Sequence, residues 1–356
     1  MNLPRLTLIS VAVAVFMLWL QLRYPAPEIV SPQQRLADTT TTQTPAADCR
    51  AADQTFLTFP EWFLVYSPKE YAELIAERSP SEFPYLEHIG QFWQGYRAVS
   101  EATKDEPFNG RYHEMIFVIG ASTSFEYGLK WFYETTVGRV AELTSRPPTE
   151  EDRLAAKVAK DYVDFLDVEP WYRFDFVTPL RRVWTEPWRG PNLLRKWERK
   201  YFLTTEYSAK VIYAWMIKRS TESAYGIQTS LTTVVVDHLP SPIPAELSGL
   251  KARETLADGH VLLDLPRYQA LTAQAELLAR HQINFVEIAG NRGPILVSAI
   301  VPTEFDESGM TILAKQLILT QERKQRVLMT VPIADLSTRL RTLNQSGIHV
   351  EHVYDF

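Results

Sequence analysis

The hydrophobic pattern divides the chain into stretches of different rhythm. Leu6 to Leu22 (LTLISVAVAVFMLWLQL) carries no charge over 17 residues. At 1.5 Å rise per residue this run makes roughly 26 Å of helix, close to the hydrocarbon thickness of a bilayer. It predicts an N-terminal transmembrane helix in an anchor over residues 1–24. Trp19 and Tyr24 stand where aromatic rings favour the interface. A cleaved signal peptide is the alternative, but its apolar stretch is usually shorter and Arg23-Tyr24-Pro25-Ala26-Pro27 fits a cleavage site poorly. Residues 25–54, rich in Pro, Thr, Gln and Ala, lack periodicity and read as a flexible linker.

Residues 55–228 carry helical spacing and eight of the nine tryptophans. Ser67-Pro68 predicts a helix start, as does Phe83-Pro84. Asn109-Gly110 precedes a long apolar segment, Tyr112–Leu143. Its most apolar part, Met115–Phe125, is too short to cross a membrane and predicts a buried or interfacial helix. Pro147 to Asp152 sets acids in the first turn of the next helix, which shows apolar spacing at Leu154, Val158, Tyr162 and Phe165. A final helical pair is expected at 193–200 and 205–223. This part is an aromatic-rich α-helical domain.

The rhythm changes over residues 229–356. Strand Val261–Pro266, helical spacing at Leu271, Ala275 and Leu278, and strand Ile283–Ile288 recur as Val327–Pro332, Leu336, Leu340 and Leu343, and Ile348–Val353. A duplicated β-α-β unit of this kind predicts a C-terminal ferredoxin-like domain, a single sheet backed by two helices. The segments 295–301 and 311–320 add strands, although the second also suits a helix. The fold class is α+β.

Composition narrows the functions. A chain with 46% hydrophobic and 22% charged residues buries a core. The net charge of −6 argues against a nucleic-acid partner. The single cysteine, Cys49, excludes an internal disulfide and a multi-cysteine metal site. No phosphate loop, nucleophile elbow or His-Glu-x-x-His motif is present.

Three constellations remain. Glu87, His88, His113 and Glu114 on two helices offer two imidazoles and two carboxylates for a zinc or iron site, or for acid-base work. Adjacent Glu-His residues point about 100° apart, so packing histidines are the plainer account. Glu126, Lys130 and Glu134 form an i, i+4 ladder, read here as a solvated stripe. Arg181, Arg182, Trp184, Trp188, Arg189, Arg195, Lys196 and Trp197, continued by Arg199 and Lys200, mix basic and aromatic side chains in the manner of a membrane-surface segment.

The expectation is a single-pass protein of the cell membrane, its body on the extracytoplasmic side. It would organise partner proteins or lipids at the membrane surface without catalysis. A metal-dependent or acid-base enzyme and a small-molecule sensor built on the C-terminal domain stay open as alternatives.

Overall fold

A computed structural model describes residues 42–356, apart from 52, 54–55, 145–147, 225–230 and 356. The predicted span Leu6–Leu22 and most of the linker lie outside the described residues. Among the described residues, seven α-helices precede the first strand: α1 (Thr58–Ile75), α2 (Tyr85–Ala102), α3 (Gly110–Tyr133), the single turn α4 (Arg139–Glu142), α5 (Glu150–Leu166), α6 (Val177–Thr185) and α7 (Leu193–Ala224). A π-helical turn, Glu134–Gly138, joins α3 to α4.

Local chemistry sets several of these ends. The Asn109 carboxamide oxygen accepts the Tyr112 amide at 3.0 Å and caps α3. Thr149 and Asp152 form a reciprocal capping box on α5. Two expectations are corrected. Ser67-Pro68 does not open a helix; Pro68 lies within α1. Burial of Phe59, Trp62, Phe63 and Tyr66 in one aromatic core outweighs the roughly 3 kcal/mol that an internal proline costs. The pair at 193–200 and 205–223 is one continuous helix, α7.

The second part holds two copies of one unit. Strands β1 (Leu231–Val236), β2 (Lys251–Thr255) and β3 (Val261–Pro266) lead to α8 (Gln269–Arg280) and β4 (Phe285–Ile288). Strands β5 (Pro294–Pro302), β6 (Thr311–Leu317) and β7 (Lys324–Pro332) lead likewise to α9 (Ile333–Gln345) and β8 (His349–Val353). The sheet orders match: β2-β3-β1-β4 and β6-β7-β5-β8. Every pairing is antiparallel, with Val234 opposite Leu263 and Val297 opposite Met329. The eight strands therefore form two four-stranded sheets, where a single sheet was expected. The strand-helix-strand segment visible in the sequence is the rear of a longer β-β-β-α-β repeat, whose first strand inserts between the other two.

One apolar core serves both units. It takes Val234, Leu263 and Phe285 from the first sheet, Val297, Met329 and Val350 from the second, and Leu278 and Leu340 from the helices. Helix α8 also contacts β8, and α9 contacts β4, so each helix braces the other unit's sheet. The opposite face of the second sheet, through Leu296, Leu313 and Leu328, joins the aromatic core of α1, α2 and α3. Residues 43–50, predicted as linker, are laid against the two C-terminal units. The amides of Gln43 and Thr44 each donate to the Glu287 carboxylate at 2.8 Å, and Arg50 pairs with Asp355 at 2.9 Å.

Candidate functional site

The Glu-His residues do not assemble a site. His88 on α2 is fully buried, stacked on Phe83 at 4.4 Å between ring centroids. Its Nδ1 lies 3.0 Å from Ser67 Oγ. His113, near the start of α3, stacks on Phe108 at 4.6 Å and hydrogen-bonds the Tyr96 hydroxyl at 2.9 Å. His88 faces Tyr127 near the end of α3 whereas His113 faces Tyr96, so the antiparallel packing of α2 and α3 holds the imidazoles turns apart. Glu114 is exposed and Glu87 half-buried. Among the described residues no group of three or more His, Cys, Asp or Glu side chains is placed to hold a metal ion. His352 is buried too, stacked on Trp62 at 3.7 Å.

The basic-aromatic stretch, which runs from α6 through the connection at 186–192 into α7, divides into an exposed and a buried set. Arg181, Arg182, Trp184, Trp188, Arg189 and Trp197 are exposed. Trp188 touches both other tryptophans, at centroid distances of 5.5 Å to Trp184 and 5.4 Å to Trp197. Arg195 and Lys196, expected at the surface, are instead buried with Arg199 and Lys200. Arg195 pairs with Asp152 at 2.9 Å and Glu198 at 3.1 Å, and Lys196 with Glu151 at 2.8 Å. Lys200 reaches Glu151 at 3.1 Å, and Arg199 holds Glu134 through two 3.0 Å bonds. Four cations face four acids, Glu134, Glu151, Asp152 and Glu198, so the network is neutral. Neutrality and hydrogen bonding at every head group are what permit such burial.

The predicted solvated ladder is corrected in the same way. Lys130 is buried and bridges Glu126 at 3.0 Å and Glu206 at 2.6 Å, and Glu206 also binds Lys210 at 3.1 Å. Burial alone would raise the Glu206 carboxyl, but Lys130 and Lys210 pull it down to about 2. Glu134 is fully buried at the π-helical turn. Gly138 completes that turn: a Cβ there would run into the Glu134 carboxylate and come 3.4 Å from Arg199 Nη2.

The outward face of the same helices is apolar. On α3 and its continuation, Val118, Phe125, Leu129, Phe132, Val137, Val140 and Leu143 are exposed. On α7, Leu193, Leu194, Trp197, Tyr201, Ile212, Trp215 and Met216 are exposed. The two stripes meet at an open groove of about 370 Å³ lined by Thr136, Val137, Val140, Ala141, Leu194 and Glu198. Threonines on these stripes turn their hydroxyls to the helix backbone: Thr135 donates to the Trp131 carbonyl at 2.6 Å and Thr205 to the Tyr201 carbonyl at 2.9 Å. Along α7, charged residues 195, 196, 199 and 200 point in while 194, 197 and 201 point out. That order is the reverse of a helix on a water-facing surface.

No family model, no curated protein and no solved structure matches the chain. No helix among the described residues is long and apolar enough to cross a membrane.

Proposed function

We propose that the protein is a membrane-anchored, non-catalytic module that lays the outward face of α3, α4 and α7 into the bilayer surface and organises lipids or partner proteins there. The observation that carries this reading is the inverted patterning of α7 against the π-helical turn. Charges sealed beneath an apolar exterior suit an apolar surrounding, because water would reward the opposite arrangement. Each half-exposed aromatic ring contributes on the order of 100 Å². Phe125, Phe132, Trp184, Trp188, Trp197, Tyr201 and Trp215, spread over α3, α6, α7 and the α6–α7 connection, together expose on the order of 700 Å². Trp184, Trp188 and Trp197, rimmed by Arg181, Arg182 and Arg189, have the chemistry of a headgroup-level belt.

The uncharged run Leu6–Leu22 supports the same reading, since an N-terminal span would hold this face at a bilayer. The linker composition favours an extracytoplasmic body. In this reading the C-terminal units, for which a ferredoxin-like fold was expected, are the rigid platform that carries the helices.

The test is fluorescence of the full chain, with Trp19→Phe to silence the anchor, reconstituted in vesicles whose acyl chains are brominated. Emission is expected to be quenched, and most of that quenching is expected to vanish on replacing the exposed Trp131, Trp184, Trp188, Trp197 and Trp215 by Phe. Quenching that is absent, or unchanged by these replacements, rules out lipid contact by this face. A protein partner on the same apolar face would then be the reading to pursue.

A further inference from the structure

A second buried polar system, separate from the charged networks, joins the helices to the second sheet. Glu70 on α1 points Oε1 at Arg326 Nη2 of β7, 3.0 Å away. Arg326 also donates from Nε and Nη2 to Glu351 of β8, at 2.6 and 2.7 Å, and its guanidinium lies 3.6 Å over the Tyr66 ring. The other oxygen, Glu70 Oε2, faces His88 Nε2 at 3.4 Å. Among the described residues neither of those two atoms has any other hydrogen-bond partner, and both are shut off from solvent. From His88 the contacts continue through Nδ1 to Ser67 Oγ at 3.0 Å, and from Ser67 Oγ to the Tyr127 hydroxyl of α3 at 2.8 Å.

We infer that Glu70 Oε2 and His88 Nε2 form one buried proton-binding site, whose occupancy sets the donor direction of the chain Glu70–His88–Ser67–Tyr127. Two facing acceptors without a hydrogen between them would leave two buried lone pairs unpaired, which costs more than the bond itself yields. One hydrogen must therefore lie between them. With the site protonated, the Glu70 O–H donates to His88 Nε2, His88 Nδ1–H donates to Ser67 Oγ, and the Ser67 O–H points to Tyr127. With one proton lost to solvent, the imidazole keeps its remaining hydrogen on Nε2 and donates it to the Glu70 carboxylate. Nδ1 then accepts from Ser67, and Ser67 Oγ accepts from the Tyr127 O–H. Every donor on the path reverses, and one hydrogen leaves.

The surroundings set where this occurs. Burial lifts the Glu70 carboxyl against the pull of Arg326, to about 7, while Glu351 and Glu73 push the same way as burial. Burial, with Arg326 beside it, takes the His88 imidazole down to about 3, so the ring stays neutral and the carboxyl carries the exchangeable proton. Arg326 and Glu351 cancel in charge, and at the far end Lys130 and Glu126 flank Tyr127.

Infrared difference spectra of the full chain, taken on either side of pH 7, test this. A carbonyl stretch of a protonated carboxylic acid should disappear on the alkaline side and be removed in Glu70→Gln, whose amide copies the protonated form, leaving the separate band of Glu61, a carboxyl that burial likewise lifts to about 7. A tyrosine band should shift in step with the Glu70 band, be absent in Tyr127→Phe, and stay still in Ser67→Ala while the Glu70 band persists. Absence of any carboxyl band that Glu70→Gln removes overturns the site. A tyrosine shift that survives Ser67→Ala overturns the chain. The outcome does not depend on whether α7 meets lipid.

Discussion

Ser67 shows how one residue can carry a misleading local signal. Followed by proline, it has the form of a helix start, yet it lies within α1 with no exposed surface and its hydroxyl bridges His88 and Tyr127. A cap and a buried bridge use the same hydroxyl chemistry, and only tertiary packing distinguishes them. Glu70 was equally silent, because its cationic partner Arg326 is more than 250 residues distant and its contact with His88 of α2 depends on how the two helices pack. The sign of its pH effect follows from the raised carboxyl. The folded chain keeps a proton near Glu70 up to about pH 7, where the unfolded chain has released it near 4.5. Stability from this group is full below about pH 4.5 and is lost as pH rises through 7. His88 runs the other way: lowered to about 3, it contributes stability above 6.5 that is lost as pH falls toward 3. Between about pH 4.5 and 6.5 the two effects oppose each other, so urea midpoints of the full chain should fall only as pH passes through about 7 and level off above it, with a slope from this site well below about 1.4 kcal/mol per pH unit. Glu70→Gln should flatten that decline; an unchanged slope would refute the assignment.

Among the elements, α7 was legible in part. Its basic-aromatic composition marked it as unusual, and a 3-4 spacing of Leu194, Trp197 and Tyr201 against Arg195, Lys196, Arg199 and Lys200 was available in the sequence. What could not be read was which set faces inward, because three of the four acids that neutralise the cations come from α5 and the π-helical turn. Arg199→Ala is expected to cost about 3–5 kcal/mol, since it strands two buried carboxylates. Arg199→Met combined with Glu134→Leu and Glu198→Gln should recover most of that loss, measured as a denaturation midpoint. If the single and combined variants lose the same stability, charge balance is not what holds the network. Gly138→Ala should destabilise for a different reason, through the contact of its Cβ with Glu134. Its effect should shrink when Glu134 is replaced by Ala, a coupling that a double-mutant cycle reads directly.

Over the whole molecule, the change from helix to strand near residue 229 and the existence of a duplication were visible, because periodicity of 3.6 and of 2 are local properties. The architecture of the duplication was not. The insertion of β1 between β3 and β4, and of β5 between β7 and β8, is set by pairing across the chain, and no local pattern encodes it. The sheets' separation follows from their helices, since α8 and α9 pack against each other and supply apolar faces that both sheets cover. Alkaline carbonate should leave the full chain with the membrane pellet if Leu6–Leu22 is a retained span, and release to the supernatant would sink the anchor.

The residues at 43 and 44 have a mechanical consequence. Their amides and the Thr44 hydroxyl all close on one carboxylate, Glu287, which Arg292 grips from the other side. A pull transmitted along the polypeptide from its amino end would thus be borne first by strand β4, before any strain reached the aromatic helices. The molecule is hung from its sheet rather than from α1, and in a force-extension trace Glu287→Ala should lower the first rupture while leaving later ones in place.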